Sequence, residues 1–411
     1  MARPSQRIER HLATNLSVQP TDRHVARAPR GILLVTEHFP PTVGGSAELL
    51  GNTYERVKTV PTTVLTDDAG VTGSGGHSEI IRAGLRTKHW GLMHPAGLCQ
   101  HLKVARQIWR TSRRGIGVVH CGRALPEGLS AMLAHAAGAP PYVCWAHGEE
   151  LAYMRASREL NWLATKVYRR ARAVIANSQN TADMLATYGI EAGRIHVVRP
   201  GVDAQRFRPD TDGAARLRRE LAPDGAVLCL TVGRLQRRKG HDVVIEALAG
   251  LGMMASRLRY VIVGDGEERE RLESLVRTHG LEASVVFKGR IPAADLARYY
   301  AAADIFVHPN RIDSGDFEGF GIVFLEAAAC GLPAIAGRSG GVPEAVVDGE
   351  TGLLVSGTDV GEIQAALSVL IGAPDRRKTM GRTARLRAVT EFSWQRSADR
   401  IAAVHEAVMT Q

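Results

Sequence analysis

The chain has 411 residues, 45% hydrophobic and only 5% aromatic, too long for one ordinary domain and suited to two of about 200 residues, each able to bury a core. Its formal net charge of +10 suits phosphate-bearing ligands or an anionic membrane surface, and without zinc-finger spacing or an aromatic RNA-binding run nucleic acid is not an expected partner. No run approaches the ~18 apolar residues of a membrane span and no apolar signal core opens the chain; the scattered Cys99, Cys121, Cys144, Cys229 and Cys330 lack CxxC spacing, so a reducing cytoplasm is expected, without a disulfide frame or metal site.

Residues 1–29, with Arg30 at their edge, carry Arg3, Arg7, Arg10, Arg23 and Arg27 against Glu9 and Asp22. Lacking apolar periodicity, this stretch is expected to be a disordered basic tail. A first domain is assigned to 30–200. It opens at Gly31 with ILLVTE, a buried-strand run. A turn with Gly44, Gly45 and Ser46 follows, then a helical pattern. Strand, glycine turn and helix aim backbone N–H groups at a phosphate, although two glycines alone more often only make a turn. Further apolar runs at 62–66, 117–121, 141–146 and 173–177 alternate with helical patterns, which predicts a parallel, doubly wound sheet.

The helix expected over 98–114 shows one stripe of Leu98, Leu102, Ala105 and Ile108 and another of Lys103, Arg106, Arg110 and Arg113. Trp109 flanks the basic stripe, as an interfacial aromatic would. His147 follows the strand PYVCWA directly, at the strand end where open α/β sheets bind ligands. Asn177 and Ser178 read as a strand end and helix cap, and Arg199 to Gly201 as the hinge.

The second domain, 201–390, begins with AVLCLTV and then Gly233-Arg234-Leu235-Gln236-Arg237-Arg238-Lys239-Gly240. Arg237 and Arg238 are read as a solvated loop. Gly264-x-Gly266 lacks the third glycine of a dinucleotide fingerprint, so no hydride chemistry is implied; no GxxxxGK[ST] run is present either. The densest signal is Pro309–Val347. It holds Glu318 and Glu326 with seven residues between them, Gly319-Phe320-Gly321 after the first, and an Ala-rich helix from Leu325 to Ala329 stopped by Gly331 and Pro333. A glycine turn feeding a helix N-terminus suits an anionic, oxygen-rich ligand, and carboxylates beside it accept hydrogen bonds from sugar or ribose hydroxyls. A last helix, opened by Phe392-Ser-Trp394, runs to about Met409.

Glu318-x7-Glu326 with Gly319, Gly321 and the following SGGVPEAVVDGETGLLV resembles the donor site of retaining family 4 glycosyltransferases. The resemblance runs from about residue 31 to 409. It implies the GT-B fold: an α/β protein of two doubly wound Rossmann-like domains facing a central cleft, the acceptor on the first and the nucleotide sugar on the second, with 391–411 crossing back. It also implies roles. Arg234 and Lys239 would reach the donor diphosphate, with Gly44 and Gly45 facing it across the cleft. Arg290 and Ile291 would hold the base by their backbone. Glu318 would orient sugar hydroxyls and Glu326 the ribose diol, with Gly319, Phe320, Gly321 and Ile322 lining the donor. His147 would lie beside the transferred sugar and donate to its hydroxyls. No cofactor and no metal are expected, since no Asp-x-Asp pair ends a strand and the cations would replace the metal.

The similarity to phosphatidylinositol mannosyltransferases favours GDP-mannose as donor and a lipid or glycan acceptor, on the inner face of an anionic membrane. The alternative is a UDP-sugar-dependent glucosyl- or N-acetylglucosaminyltransferase with a soluble acceptor. Weaker still are a nucleotide-sugar epimerase or phosphorylase on this fold and a non-catalytic scaffold, both disfavoured by the intact polar signature.

Overall fold

The computed structural model describes residues 30–410 apart from Val43, 68–77 and Ala156; the basic tail at 1–29 lies outside them. The first sheet is built from β1 (Gly31–Val35), β2 (Thr62–Thr66), β3 (Ser78–Arg82), β4 (Ile116–Cys121), β5 (Tyr142–Ala146), β6 (Ala173–Ala176) and β7 (Ile195–Val197). All are parallel, in the order 3-2-1-4-5-6-7. The second holds β8 (Val227–Val232), β9 (Leu258–Val263), β10 (Val285–Gly289), β11 (Ile305–His308), β12 (Ala334–Gly337) and β13 (Gly352–Val355), parallel in the order 10-9-8-11-12-13. Strands β1, β4, β5 and β6 are buried at every position. That is why they read as continuous apolar runs: helices cover both faces of a parallel sheet.

Each sheet is sandwiched between two apolar clusters. In the first domain Leu33, Val119, Cys144 and Val174 face one helical layer, while Ile32, Val118, Val143 and Ile175 face the other. That second layer includes Trp394, Ala398, Ile401, Val404 and Val408, from the C-terminal helix Trp394–Thr410. The last helix is therefore core to the first domain, and each of its fully buried aliphatic side chains contributes about 1.5–3 kcal/mol. The chain passes between domains beside this helix: Val202 N donates to the Phe392 carbonyl at 2.9 Å, and Ser397 Oγ to that of Arg199 at 2.8 Å.

The basic helix spans Pro95–Ser112 and corrects the expected stripes. Its buried face is Gly97, His101, Val104, Ala105, Ile108, Thr111 and Ser112, a row at alternating four- and three-residue steps. His101 sits inside because its ring bonds Ser130 Oγ (3.0 Å) and the Trp90 carbonyl (3.1 Å). Leu98 and Leu102 fall outside this row and are 41% and 52% exposed. Trp109 is instead half-buried against the core, with the Arg113 guanidinium 4.5 Å from its ring centre. No helix among the described residues is long and apolar enough to cross a membrane.

Candidate active site

Open α/β sheets bind ligands beyond the C-terminal strand ends where strand order reverses. In the second sheet that point lies between β8 and β11. From β8 the chain makes one 3₁₀ turn, Arg237–Lys239, closed by Gly240 at φ +73°. This turn carries Lys239 into the crevice, where it is 8% exposed. Asn310, just past β11, is 1% exposed. Three donors converge there on Glu318 Oε2: Lys239 Nζ, Arg238 Nη1 at 3.2 Å and Asn310 Nδ2 at 2.9 Å. Burial by itself would raise the Glu318 pKa, but the charges and hydrogen bonds of Lys239 and Arg238 outweigh it and hold the carboxyl below its ordinary range. Glu318 is an anion fixed between two cations.

Arg238 is the correction here. It is no solvated loop residue: its side chain is 12% exposed and ion-pairs with Glu318, with Asp316 at 2.9 Å and, across the cleft, with Glu149 at 3.7 Å. Arg237 is exposed as expected. Arg234 is exposed too, and its side chain has no ion pair among the described residues.

His147 faces this cluster from the end of β5. Its ring stacks on Trp145, with centres 5.8 Å apart and planes 6° from parallel. Trp145 is itself anchored by Nε1 donating to Tyr54 Oη at 2.9 Å. His147 Nε2 lies 2.8 Å from the Gly122 carbonyl. A carbonyl can only accept, so Nε2 carries the hydrogen, and Nδ1 of the neutral ring is an acceptor. The expected donation from this ring to sugar hydroxyls is therefore reversed in the neutral form. The domains touch at this place: a Cβ on Gly319 would overlap the His147 carbonyl oxygen.

Two helix N-termini without side-chain caps border the same space. One belongs to Gly45–Tyr54, whose Gly44 and Gly45 are exposed with open space where a Cβ would stand; the other to Ile322–Ala329, with Gly321 before it at φ +91°. The second helix starts three residues earlier than expected, so Glu326 stands in its second turn. Tyr300 Oη donates to Glu326 Oε2 at 2.7 Å. Burial pushes this carboxyl up to about 7, against the Tyr300 hydrogen bond and the Arg206 charge, with Glu48 from the first domain adding to the rise. Glu326 and the Gly45–Tyr54 helix thus face each other across the cleft. Ile322 packs against the first domain's cluster. Phe320 does not line a ligand: it is 2% exposed and edge-on to Phe392 at 5.8 Å, so only its backbone can serve. Arg290 is exposed and Ile291 half-buried, beyond the end of β10.

The residues 61–206 match the model of Glycosyltransferase Family 4, and 215–387 that of Glycosyl transferases group 1. The chain is 36% identical over 387 residues to a GDP-mannose-dependent alpha-(1-6)-phosphatidylinositol monomannoside mannosyltransferase of Mycolicibacterium smegmatis, covering 90% of this chain and 97% of that one. This chain belongs to the family 4 glycosyltransferases. A monoacylated-substrate counterpart from Corynebacterium glutamicum is 33% identical, with 91% and 97% covered. The sucrose-phosphate synthase of Thermosynechococcus elongatus has the same GT-B fold, with a TM-score of 0.78 at 23% identity over 93% of this chain and 99% of that one. Anabaena HepE in complex with UDP and glucose gives 0.77 at 22%, with 92% and 100% covered.

One residue of this glycosyltransferase escaped sequence reasoning although its stretch was singled out. Glu344, in SGGVPEAV, reaches from the second domain to the N-terminus of the helix Gln179–Thr187. Its Oε1 accepts from Gln179 N (2.6 Å) and Asn180 N (3.2 Å), and its Oε2 from Arg199 Nε (2.7 Å). One carboxylate thus caps a helix of the other domain and ties down the hinge. Asn310 was equally unmarked; its signals are its place two residues past the strand IFVH, after Pro309, and at the start of the stretch Pro309–Val347. Among the described residues no group of three or more His, Cys, Asp or Glu is arranged to hold a metal ion.

Proposed function

We propose that this glycosyltransferase moves a mannosyl residue from GDP-mannose, with retention of configuration, to a mannosylated inositol phospholipid. The observation carrying the reading is the near full-length similarity to transferases named for that donor and acceptor class, joined to a Lys239–Glu318–Arg238 cluster closed against His147. Lys239 and Arg234 would hold the diphosphate, helped by the free N–H groups at Gly45 and Ile322, and would stabilise the charge it gains on leaving, the work a metal does elsewhere. Glu318 would accept from sugar hydroxyls. The anomeric carbon–oxygen bond breaks, the departing diphosphate oxygen takes the acceptor hydroxyl's proton, and the new glycosidic bond forms on the same face.

The membrane supplies the acceptor. Lys103, Arg106, Arg110 and Arg113 are exposed on Pro95–Ser112, and Leu98, Leu102, Arg106 and Arg110 follow one another at four-residue steps along its outer surface. Met93 and Trp162 in the same domain are 83% and 58% exposed. Cations over apolar side chains suit an anionic bilayer interface, and this supports reading the enzyme as peripheral on the membrane's inner face. A melting-point panel of GDP, UDP and ADP tests the donor, since a ligand that binds only the folded state raises the midpoint. A shift with UDP but not GDP replaces GDP-mannose by a UDP-sugar. Proton NMR of the product's anomeric signal tests retention.

A further inference from the structure

The first sheet has its own reversal of strand order, between β1 and β4, and a second crevice opens there. Glu37 follows β1 and Arg123 follows β4. Arg123 Nη2 donates to Glu37 Oε2 at 2.5 Å, and its Nε faces Glu127 Oε2 at 3.2 Å. Glu127 is 1% exposed and also accepts from Glu37 N at 2.9 Å. The Arg123 guanidinium lies 5.3 Å from the Trp90 ring centre. A third carboxylate is close enough for Arg123 to feel its charge: Glu150, 5% exposed, whose Oε1 accepts from His147 N at 2.7 Å. Glu150 Oε2 is buried with no partner among the described residues.

We propose that Glu37 is the acceptor-reading residue of this enzyme, its carboxylate taking hydrogen bonds from neighbouring hydroxyls of the polyol ring that receives the sugar, with Glu127 and Arg123 as the positioning residues that aim it. The proposal rests on the glycosyltransferase reading above and names the acceptor chemistry of its first domain. Three observations carry it. The crevice adjoins the reacting centre, because His147 is bonded to the carbonyl of Gly122, the residue before Arg123. Its buried part holds more carboxylate than guanidinium, which favours hydroxyl donors and repels phosphate. Glu37 also keeps acceptor capacity: its side chain is 15% exposed, and Oε1 lies 3.8 Å from Arg86 Nε, too long for a hydrogen bond. That Arg86 side chain is 60% exposed, so water weakens the pair and an incoming hydroxyl can displace it. An acceptor's phosphate is thereby turned away from this crevice, leaving its ring to enter.

Ligand-observed NMR with methyl α-mannoside and with myo-inositol, each in the presence of GDP, tests this without requiring turnover. The wild-type protein binds at least one of the two, and inorganic phosphate does not displace it. Glu37→Gln weakens that binding and raises the acceptor KM about tenfold or more, the scale of a hydrogen bond to a charged group; Glu37→Asp recovers part of it, and the melting point and its shift by GDP stay at wild-type values. Binding by neither polyol, displacement by phosphate, or an unchanged acceptor KM overturns the proposal. A fall in melting point with donor and acceptor KM changed together makes Glu37 a structural clamp, and overturns it equally. Failure of the donor reading shows separately, as absence of any nucleotide-induced shift in the wild-type protein.

Discussion

Lys239→Ala removes one of the two cations that hold Glu318 and, in the proposed mechanism, one of the two that meet the leaving diphosphate. A unit charge developing about 4 Å from the ammonium at an effective dielectric near 20 is worth about 4 kcal/mol. The loss of one preorganised donor to a developing anion falls in the same range, about 2.7–4 kcal/mol. Turnover should therefore drop by roughly two to three orders of magnitude. The fold should survive, because Glu318 keeps Arg238 at 3.2 Å and Asn310 at 2.9 Å and is not left as an unpaired buried charge. One charged hydrogen bond lost costs about 1.5–3 kcal/mol of stability, a decrease of several degrees in midpoint.

The acid limb gives a second readout of the same variant. The folded-state pKa of Glu318 is depressed, so its contribution is fully present above the unfolded value and is lost as pH falls through the folded one. Without Lys239 the folded pKa rises, and the stability that Glu318 contributed shrinks and disappears at a higher pH. The assay is GDP release at saturating donor and acceptor beside a thermal midpoint series from neutral pH downward. Near-wild-type turnover in a folded Lys239→Ala protein would refute the assignment of this lysine to the diphosphate.

Glu326 stands near pH 7, and only its ionised form has all its lone pairs for a ribose diol. GDP affinity should thus rise with pH through about 7, and Glu326→Gln should flatten that rise in a calorimetric series; because the raised pKa makes the folded state hold its proton longer, the variant should also lose less stability between pH 4.5 and about 7. Glu344→Ala leaves the Ser178 cap of the helix Gln179–Thr187 in place but removes the acceptor of its first two N–H groups and the partner of Arg199 together, so a loss of about 1–2 kcal/mol in urea unfolding is expected, with faster proteolysis near residues 199–201; unchanged values of both would show that the latch does not hold the domains. Co-sedimentation with anionic liposomes at low salt should fall when Arg106 and Arg110 are changed to Glu, each cation near such a surface contributing about 1 kcal/mol, while Lys239→Ala leaves it intact. Equal binding to neutral and anionic vesicles refutes the basic face as the dock.

Where a feature depended on chain-local chemistry, the sequence was a sufficient guide. The buried strands announce themselves as apolar runs, and the cap at Ser178 appears as expected, its Oγ accepting from Thr181 N at 3.1 Å. The helix Pro95–Ser112 shows where that guide stops. Its apolar residues admit more than one stripe, and the choice was made by His101, a polar residue drawn inside by Ser130 and the Trp90 carbonyl. Edge strand β3, SEIIR, has only Ile80 and Ile81 between Glu79 and Arg82 and gave no apolar run to read. In the site, Lys239 and Glu318 were legible by type and spacing. Arg238 was not, because its partners Asp316, Glu318 and Glu149 come from two other segments, one of them in the other domain. Phe320 was misplaced for a related reason: spacing marks a loop as ligand-facing without saying which side chains turn back into the core.

The glycines of the signature gain a physical meaning from these contacts. Gly341 N donates to the Glu318 carbonyl at 3.0 Å, and a Cβ on Gly341 would overlap the Gly319 carbonyl. Gly319 in turn lies against the carbonyl of His147. Three backbone segments from two domains are therefore stacked without side chains between them, and Glu318 projects from the middle layer. A larger residue at either glycine would push the layers apart and move the carboxylate away from Lys239 and Asn310. Two glycines of the stretch that carries the family resemblance, Gly319 and Gly341, are therefore what lets this stack close. It follows that the Glu318 carboxylate is positioned by contact between the domains as much as by its own, and that, in the proposed mechanism, loosening the Glu344 latch should lower turnover without altering any residue proposed to touch the donor.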